Sequence, residues 1–228
     1  MSETYYFAYQ GGTGEIVEKK SRFIATVAPI ASEEEALRFI EQTKKQYWDA
    51  RHNCTAFTLG SRHQLTRCSD DGEPAGTAGR PMLDVLLKEN IHNVAVVVTR
   101  YFGGTLLGTG GLVRAYSKAV QTGLAASVIL ERQAGVRLEI SADYGDLGKI
   151  QYLMGQQQIS TLNSSYTDSV YLEALVPASL LDSFCQDLTE GTAGKAVLTK
   201  GDACSYAVYK GDILLFDRED TIKPKLMI

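Results

Sequence analysis

Two clusters of side chains in this sequence have the residue types that bind charged ligands. Three cations, Arg100, Arg114 and Lys118, flank a stretch that contains Gly103, Gly104, Gly108, Gly110 and Gly111. The backbone N–H groups of a glycine-rich loop and of a helix N-terminus can bind an anion such as phosphate together with such cations. The second cluster lies earlier in the chain and consists of three acids, Asp70, Asp71 and Glu73.

The glycine stretch allows two interpretations. It could cradle an RNA phosphate or a nucleotide phosphate, helped by Arg100, Arg114 and Lys118. It could instead be a tight strand-to-helix connection in which only glycine fits the backbone. Its spacing matches neither the Walker phosphate loop, whose lysine is missing, nor the dinucleotide-binding pattern. If a helix begins near Gly110, Arg114 falls in its first turn and Lys118 one turn later on the same face.

The acidic cluster allows three interpretations. We place first an ion network in which the acids pair with Arg100 or Arg114 and hold their loop over the glycines as the opposite wall of a cleft. The second is a plain turn, since Asp, Gly and Pro are common turn residues. The third is a site for a hard cation such as Mg²⁺, which prefers oxygen ligands. We predict neither a bound metal nor a cofactor.

Two further pairs of residues could do chemistry. His52 and Cys54 lie two positions apart at the edge of a strand, but the apolar setting of Cys54 favours a core thiol over a nucleophile. Tyr101 and Phe102 follow a buried strand, so at most one of them faces the core. The other could stack on a base, or both could pack under the loop. No residue is assigned a catalytic role.

The elements that position these residues follow from hydrophobic periodicity and capping signals. Ser32 and Glu35 form a capping box, and Pro81 suits the first turn of a helix, where its missing N–H is not needed. The patterns predict two early strands, at residues 4–9 and within 16–30, a helix at about 33–47, paired strands at 54–59 and 64–68, a loop at 69–79, a helix at about 81–89, a buried strand at 94–98 and a helix from about 110 to 127.

The second half of the chain has a different order of elements. Residues 129–135 read as a short polar connection that ends a first domain at residues 1–131. Strands at 136–140, 159–166, 170–176 and 196–200, with helices at 144–158 and 178–188, give the order of a ferredoxin-like βαββαβ domain, which we place at residues 132–205. A hairpin at 208–216 and a tail, mobile or packed by a neighbour, form a last segment at 206–228. The predicted fold class is α+β with two domains.

Composition limits the classes of function. The net charge is −4, and residues 1–131 are neutral, with 14 basic and 14 acidic side chains. The chain therefore lacks the polybasic body that would hold nucleic acid by bulk charge, so anion binding must be local and no DNA specificity is expected. The four cysteines lack metal-binding spacing and read as reduced thiols. With no signal peptide or membrane span in the sequence, we expect a cytoplasmic protein.

Several long motifs together resemble the bacterial branch of the IMPACT family. They are RYFGGTLLGTGGLVRAYSKA preceded by VAVVV, the segment SDDGEPAGTAGRP, KKSRFIA at residues 19–25 and ARHNC at residues 50–54. The resemblance implies a first domain of the βαβ type found in domain IV of elongation factor G, with a left-handed crossover, and a ferredoxin-like second domain similar to its domain V. The positions that match the family motif are Asp70, Asp71, Gly72, Glu73, Pro74, Gly76, Arg100, Tyr101, Phe102, Gly103, Gly104, Gly108, Gly111 and Arg114.

The resemblance also implies a role in translation. Eukaryotic members of the family regulate translation under stress by competing for an activator of an initiation-factor kinase, and for part of this work they use a further N-terminal domain that a bacterial-type chain lacks. We therefore expect a non-enzymatic regulator that binds RNA, the ribosome or a ribosome-associated protein around Arg100, Arg114 and the glycines. The alternative is a metal-assisted enzyme or nucleotide-binding protein that acts on a phosphorylated small molecule. A third possibility is a regulator that binds only protein.

Overall fold

The computed structural model describes residues 4–216 and the short strand Lys225–Leu226. Its described part divides into two compact units, one spanning Tyr5–Glu131 and one that begins at Arg132. Both units combine helices with antiparallel sheet, which confirms the α+β class. The prediction for the tail falls outside the described residues, except that Lys225–Leu226 pairs with the preceding strand.

The first unit is a sheet with helices on both faces. Its elements are β1 (Tyr5–Gln10), β2 (Thr13–Glu18), β3 (Ser21–Pro29), α1 (Glu33–Gln46), β4 (His52–Leu59), β5 (Leu65–Ser69), α2 (Gly79–Lys88), β6 (Ile91–His92), β7 (Val94–Tyr101) and α3 (Thr109–Ala125). The main sheet has the strand order β2-β3-β7-β4-β5. Because β7 runs antiparallel to both β3 and β4, those two strands are parallel, and β3-α1-β4 is a split βαβ unit.

Alternate residues of β7 face opposite layers of the core. Val96 packs with Met82 of α2 and Tyr116 of α3, whereas Ala95 packs with Ala36 of α1. A strand buried on both faces has no polar alternation, which explains the continuous apolar run at its start. The glycine stretch therefore begins at the end of a strand that is held firmly in the core.

One early prediction was too simple. The segment 16–30 is a hairpin of β2 and β3 that turns at Lys19 and Lys20, whose φ angles are 46° and 66°. Two consecutive residues with positive φ are typical of a tight hairpin turn, but such turns usually carry glycine or asparagine. The two lysines gave no turn signal, so the sequence pattern merged the strands.

Several helices and strands begin or end at residues other than those predicted, because tertiary contacts set their limits. β7 continues to Tyr101, which places Arg100 inside the sheet, because β3 and β4 pair with it along its whole length. α2 begins at Gly79, before the predicted Pro81. In the second unit, the helix predicted at 178–188 lies at Leu181–Gly191, because the N–H of Leu180 first closes a turn onto the Pro177 carbonyl.

The second unit has the predicted ferredoxin-like order. Its elements are β8 (Val128–Ala142), α4 (Tyr144–Gln156), β9 (Ser160–Tyr166), β10 (Val170–Pro177), α5 (Leu181–Gly191), β11 (Val197–Tyr209) and β12 (Asp212–Phe216), with β13 (Lys225–Leu226) after them. The pairing order β9-β10-β8-β11 is fully antiparallel. Apolar residues of α4 and α5, such as Ile150 and Phe184, form its core with Leu138, Ile140 and Leu172 of the sheet.

The predicted polar connection at residues 129–135 is wrong. These residues belong to β8, which begins at Val128, and Gln133 and Ala134 pair with Tyr206 and Ser205 of β11. The predicted hairpin at 208–216 is present, but its first strand is the end of β11 and not the start of a separate segment. β8 and β11 are both long strands that carry many polar residues. Their polar segments do not show the apolar alternation by which a strand is predicted, so the sequence pattern did not reveal their full length.

Candidate functional site

The two predicted clusters lie at one end of the main sheet of the first unit. At this end β7 finishes, while β3 and β4 begin, since Arg22 pairs with Tyr101 and His52 pairs with Arg100. β5 also ends there, with Ser69 opposite Thr55. The acidic loop, which follows β5, and the glycine stretch, which follows β7, therefore leave the sheet at the same end.

Arg100 and Glu73 form a buried ion pair. Nη1 of Arg100 donates to Oε1 of Glu73 at 2.6 Å, and the two side chains are 7% and 3% exposed. The hydroxyl of Tyr116 donates to the same Glu73 oxygen at 2.8 Å. The guanidinium also lies over the rings of Phe23 and Phe102, at 5.4 and 5.7 Å from their centroids. This pair is the part of the predicted ion network that the structure contains.

Asp70 does not pair with an arginine but caps α2. Its Oδ1 accepts the backbone N–H groups of Ala78 and Gly79 at 3.0 and 2.8 Å, and Oδ2 accepts that of Gly76 at 2.8 Å. Burial alone would raise the pKa of Asp70, but these three hydrogen bonds outweigh it and hold the pKa below its ordinary value. This cap explains why α2 starts earlier than the sequence predicts.

Asp71 also has partners other than Arg100 and Arg114. Its Oδ1 accepts from Nζ of Lys44 at 2.6 Å, and its Oδ2 accepts the backbone N–H of Asn53 at 2.7 Å. The acidic loop is therefore tied to α1, β4, β7 and its own following helix. Of the two arginines predicted as partners of these acids, Arg100 binds Glu73, and none of the three acids pairs with Arg114 among the described residues.

Removing the Asp70 carboxylate is expected to destabilise the first unit. We expect Asp70→Ala to lower the free energy of unfolding by about 2 kcal/mol, because three N–H groups lose their acceptor. Since the folded pKa is lower than the ordinary 3.8, this contribution is present above that pH and is lost as the pH falls through the folded pKa. Urea unfolding at neutral and acidic pH measures both effects.

The control for this variant is Asp84→Ala on α2, the helix that Asp70 caps. Asp84 makes an exposed ion pair with Arg80, so its loss should cost no more than about 0.5 kcal/mol. A difference between wild type and Asp70→Ala that stays constant down to strongly acidic pH would show that the carboxylate is not the stabilising group.

Cys54 is a core thiol, as its apolar setting predicts. The thiol donates to the Asp70 carbonyl at 2.9 Å, and burial raises the pKa of Cys54 to about 12. A thiol with this pKa carries almost no thiolate at neutral pH and is a poor nucleophile. His52 is engaged through Nδ1 with the Asp71 carbonyl at 2.9 Å.

The glycines of the stretch differ in what the fold requires. Gly103 lies against the backbone of Lys20, where an added Cβ would sit 2.0 Å from a carbonyl carbon. Gly104 and Gly108 have φ angles of 85° and 74°, a region that other residues rarely adopt. Only glycine fits at position 103, and the backbone conformation favours glycine at positions 104 and 108. The structural interpretation therefore holds for this part of the stretch.

Gly110 and Gly111 lie in the first turn of α3 under different constraints. A Cβ on Gly111 would sit 3.0 Å from Cβ of Leu107, which is a tight contact. A Cβ on Gly110 would meet only Nη1 of Arg114, at an ordinary 3.8 Å. Alanine is favoured over glycine in helices by about 1 kcal/mol, so the fold gives no reason for glycine at position 110.

Arg114 and Lys118 line the exposed face of α3. Both side chains are exposed, and neither has an ion-pair partner within residues 4–216. The contact with Gly110 shows that the Arg114 guanidinium folds back over the first turn. That turn contains no acidic residue, and no side chain caps it. A cation therefore lies at the positive end of the helix dipole, an unfavourable arrangement that a bound anion would relieve.

Tyr101 and Phe102 both lie outside the core. The hydroxyl of Tyr101 donates to Oδ1 of Asp49 at 2.7 Å, and Phe102 is 52% exposed. Sequence reasoning missed the lysine turn at Lys19 and Lys20, which lies against Gly103, because no turn residue marks it.

Among the described residues, no group of three or more His, Cys, Asp and Glu side chains is arranged to hold a metal ion. Within the same residues, no helix has the length and apolarity to cross a membrane.

Comparisons with known proteins give matches in both units. Residues 19–124 match the Impact N-terminal domain, and residues 140–195 match a domain of unknown function designated DUF1949. The chain is 41% identical over 202 residues to IMPACT family member YvyE of Bacillus subtilis, covering 89% of this chain and 93% of that protein. It is 38% identical to IMPACT family member YigZ of Escherichia coli over 79% of this chain and 89% of that one.

Two further matches differ in coverage. The human Protein IMPACT is 34% identical over 98 residues, which are 41% of this chain and 30% of the human protein. A crystal structure described as that of a hypothetical protein superposes with a TM-score of 0.55 at 36% identity, covering 87% of this chain and 97% of that one. The similarity to the human protein thus concerns less than half of this chain, whereas the bacterial matches span both units.

Proposed function

The chain belongs to the IMPACT family, and from this premise we propose that it is a non-enzymatic, cytoplasmic binding protein of the translation apparatus that holds RNA at the start of α3. Its family resemblance supports the translation role, since eukaryotic members are expected to regulate translation. One observation carries the RNA-binding part. The guanidinium of Arg114 lies exposed over the first turn of α3, where both the cation and the helix dipole favour an anion.

The partners of the acids support this proposal. If Asp70, Asp71 and Glu73 neutralised Arg114, the charge beside the glycine stretch would be balanced within the protein and would not attract a ligand. Instead Asp70 binds backbone N–H groups, Asp71 binds Lys44, and Glu73 binds Arg100. The acids therefore fix the loop and the sheet, and they leave the positive charge of Arg114 available to a ligand.

Gly110 adds a second reason. A residue without a side chain at the exposed first turn lets a phosphate approach the free N–H groups of the helix. Lys118, one turn after Arg114, is exposed on the same side of α3 and offers a second phosphate contact. The spacing suits a polyanion, in which successive phosphates meet successive cations.

The lysine turn adds charge at the start of the same loop. Lys19 and Lys20 are exposed, have positive φ angles and lie beside Gly103. Strained backbone of this kind is often kept where function requires a particular position. Neither lysine has an ion-pair partner within the described part of the chain. We include both in the proposed RNA-binding surface.

The test is binding of a fluorescently labelled RNA at low salt. Arg114→Ala is expected to weaken the affinity about tenfold, the effect of losing one charge-assisted contact. The control is Arg62→Ala, which removes an equally exposed arginine between β4 and β5, at the far end of β4. Equal affinities for wild type and Arg114→Ala would move the site elsewhere, and no binding above background at low salt would remove the RNA proposal.

A metal-assisted enzyme acting on a phosphorylated small molecule is the competing function. It needs the acids as metal ligands, yet Asp70 and Asp71 use both carboxylate oxygens for hydrogen bonds within the protein. A thermal-shift screen with nucleotides and Mg²⁺ separates the two functions. A large shift with one nucleotide would favour the enzyme, and a shift with RNA alone would favour the binding protein.

A further inference from the structure

Trp48 is presented to solvent by a well-defined turn. α1 ends at Gln46, and the N–H of Ala50 donates to the Tyr47 carbonyl at 3.1 Å, which closes a turn with Trp48 at its second position. The Trp48 side chain is 82% exposed. Asp49, the next residue of the turn, accepts the hydroxyl of Tyr101 at 2.7 Å, so the turn is tied to the end of β7. The fold thus fixes the backbone at Trp48 and leaves its ring in solvent.

Two exposed cations flank Trp48 along the chain. Lys45 and Arg51, on either side of the turn, are exposed and have no ion-pair partner in the part of the chain that the structure describes. Arg22, which pairs with Glu15, lies over the ring of Tyr101 at 5.7 Å from its centroid. Scattered apolar residues on a surface need no explanation, but an exposed aromatic ring between the unpaired cations Lys45 and Arg51 complements a polyanion that carries flat apolar groups.

The turn is also continuous with the surface proposed to bind RNA. β4 begins shortly after Trp48, and its first residue, His52, pairs with Arg100 of β7. Past Arg100 the chain passes through Tyr101 to Phe102, a second exposed ring, and into the glycine stretch. The turn that carries Trp48, the end of β7 and the glycine stretch therefore lie at the same end of the sheet.

From this arrangement we propose that Trp48 stacks on a nucleobase and that the ligand is RNA with unpaired bases. The inference rests on the proposed function, because it needs RNA at the same surface. Bases of a duplex are already stacked on their neighbours and do not present their faces, whereas bases of a single strand do. Stacking on an aromatic ring depends little on sequence, so the protein would accept many single-stranded segments.

Intrinsic fluorescence tests this inference directly, because Trp48 is the single tryptophan of the chain. A short oligouridylate is expected to quench its emission. An RNA duplex and inorganic polyphosphate should leave the emission unchanged even where they bind, because neither offers an unpaired base. Trp48→Ala should weaken oligouridylate binding about tenfold, and Trp48→Phe should restore most of the affinity, since a smaller ring still stacks.

Leu37→Ala is the matched control, because Leu37 is an exposed apolar residue of the same helix. It should leave the affinity unchanged, and thermal unfolding should show all three variants folded. If oligouridylate binds in an Arg114-dependent manner without quenching Trp48 and Trp48→Ala binds normally, this inference is overturned and the proposed function stands. Trp48-dependent capture of a protein from nuclease-treated lysate would then assign the ring to a protein contact. If no RNA binds at any salt concentration, both proposals fail.

Discussion

Replacing Arg100 with methionine is expected to lower the free energy of unfolding by about 3–5 kcal/mol, the cost of leaving one partner of a buried ion pair alone. Glu73 is 3% exposed on its side chain and would retain only the hydroxyl of Tyr116 as a donor. Methionine fills a similar volume, so the loss reports mainly on charge and not on a cavity. Urea unfolding followed by circular dichroism measures the change.

The double variant Arg100→Met with Glu73→Gln separates charge from packing. Glutamine keeps an oxygen that can accept from Tyr116, and no buried charge remains, so the double variant should recover a large part of the stability lost in the single one. Arg22→Met is the control for an exposed pair, because Arg22 and Glu15 are 52% and 40% exposed. If the single variant Arg100→Met is as stable as wild type, the ion pair does not hold the acidic loop.

Gly103→Ala is expected to destabilise the protein by about 3 kcal/mol, at the upper end of overpacking effects. The added methyl group would lie 2.0 Å from the backbone of Lys20, and backbone cannot rotate away as a side chain can. β3 or the start of the glycine stretch must therefore shift. Thermal unfolding, or urea unfolding where the transition is reversible, gives the magnitude.

Gly110→Ala is the matched control from the same stretch. Its added methyl group meets only Arg114, at an ordinary contact distance, and alanine favours the helix, so its stability should equal or exceed that of wild type. Its RNA affinity should nevertheless fall, because the methyl group covers the first turn of α3. A Gly110→Ala variant that binds RNA as wild type does would mean that this glycine has no part in the site.

These contrasts divide the residues of the acidic loop and the glycine stretch into two roles. Glu73 and Arg100 pair with each other in the interior, and Gly103 packs against the backbone of Lys20, so these residues position the surface. Arg114 and Gly110 have no such structural explanation. The sequence predicted one cleft with the acids as its opposite wall, and in the structure these acids bind groups within the protein.

The sequence predicted the fold well where local signals were strong. The capping box at Ser32 located α1, and helical spacing located α3 and the helix that follows β8. Element order alone identified the ferredoxin-like unit. These features depend on neighbours along the chain, which a sequence displays directly.

The features that were missed depend on residues distant in sequence. The hairpin turn at Lys19 and Lys20 has no turn residue, and the early start of α2 requires a cap from Asp70. The exposure of Trp48 could not be foreseen, because tryptophan is highly buried on average. Each of these outcomes is decided by a tertiary contact or by the lack of one, and both are invisible to periodicity.

The salt dependence of RNA binding tests the central claim most directly. If Arg114 contacts a phosphate, the plot of the logarithm of the binding constant against the logarithm of the salt concentration should be less steep for Arg114→Ala by about one unit, with no change for Arg62→Ala. Such a result would place a phosphate at the start of α3. Identical slopes for wild type and Arg114→Ala would contradict an RNA phosphate at this position.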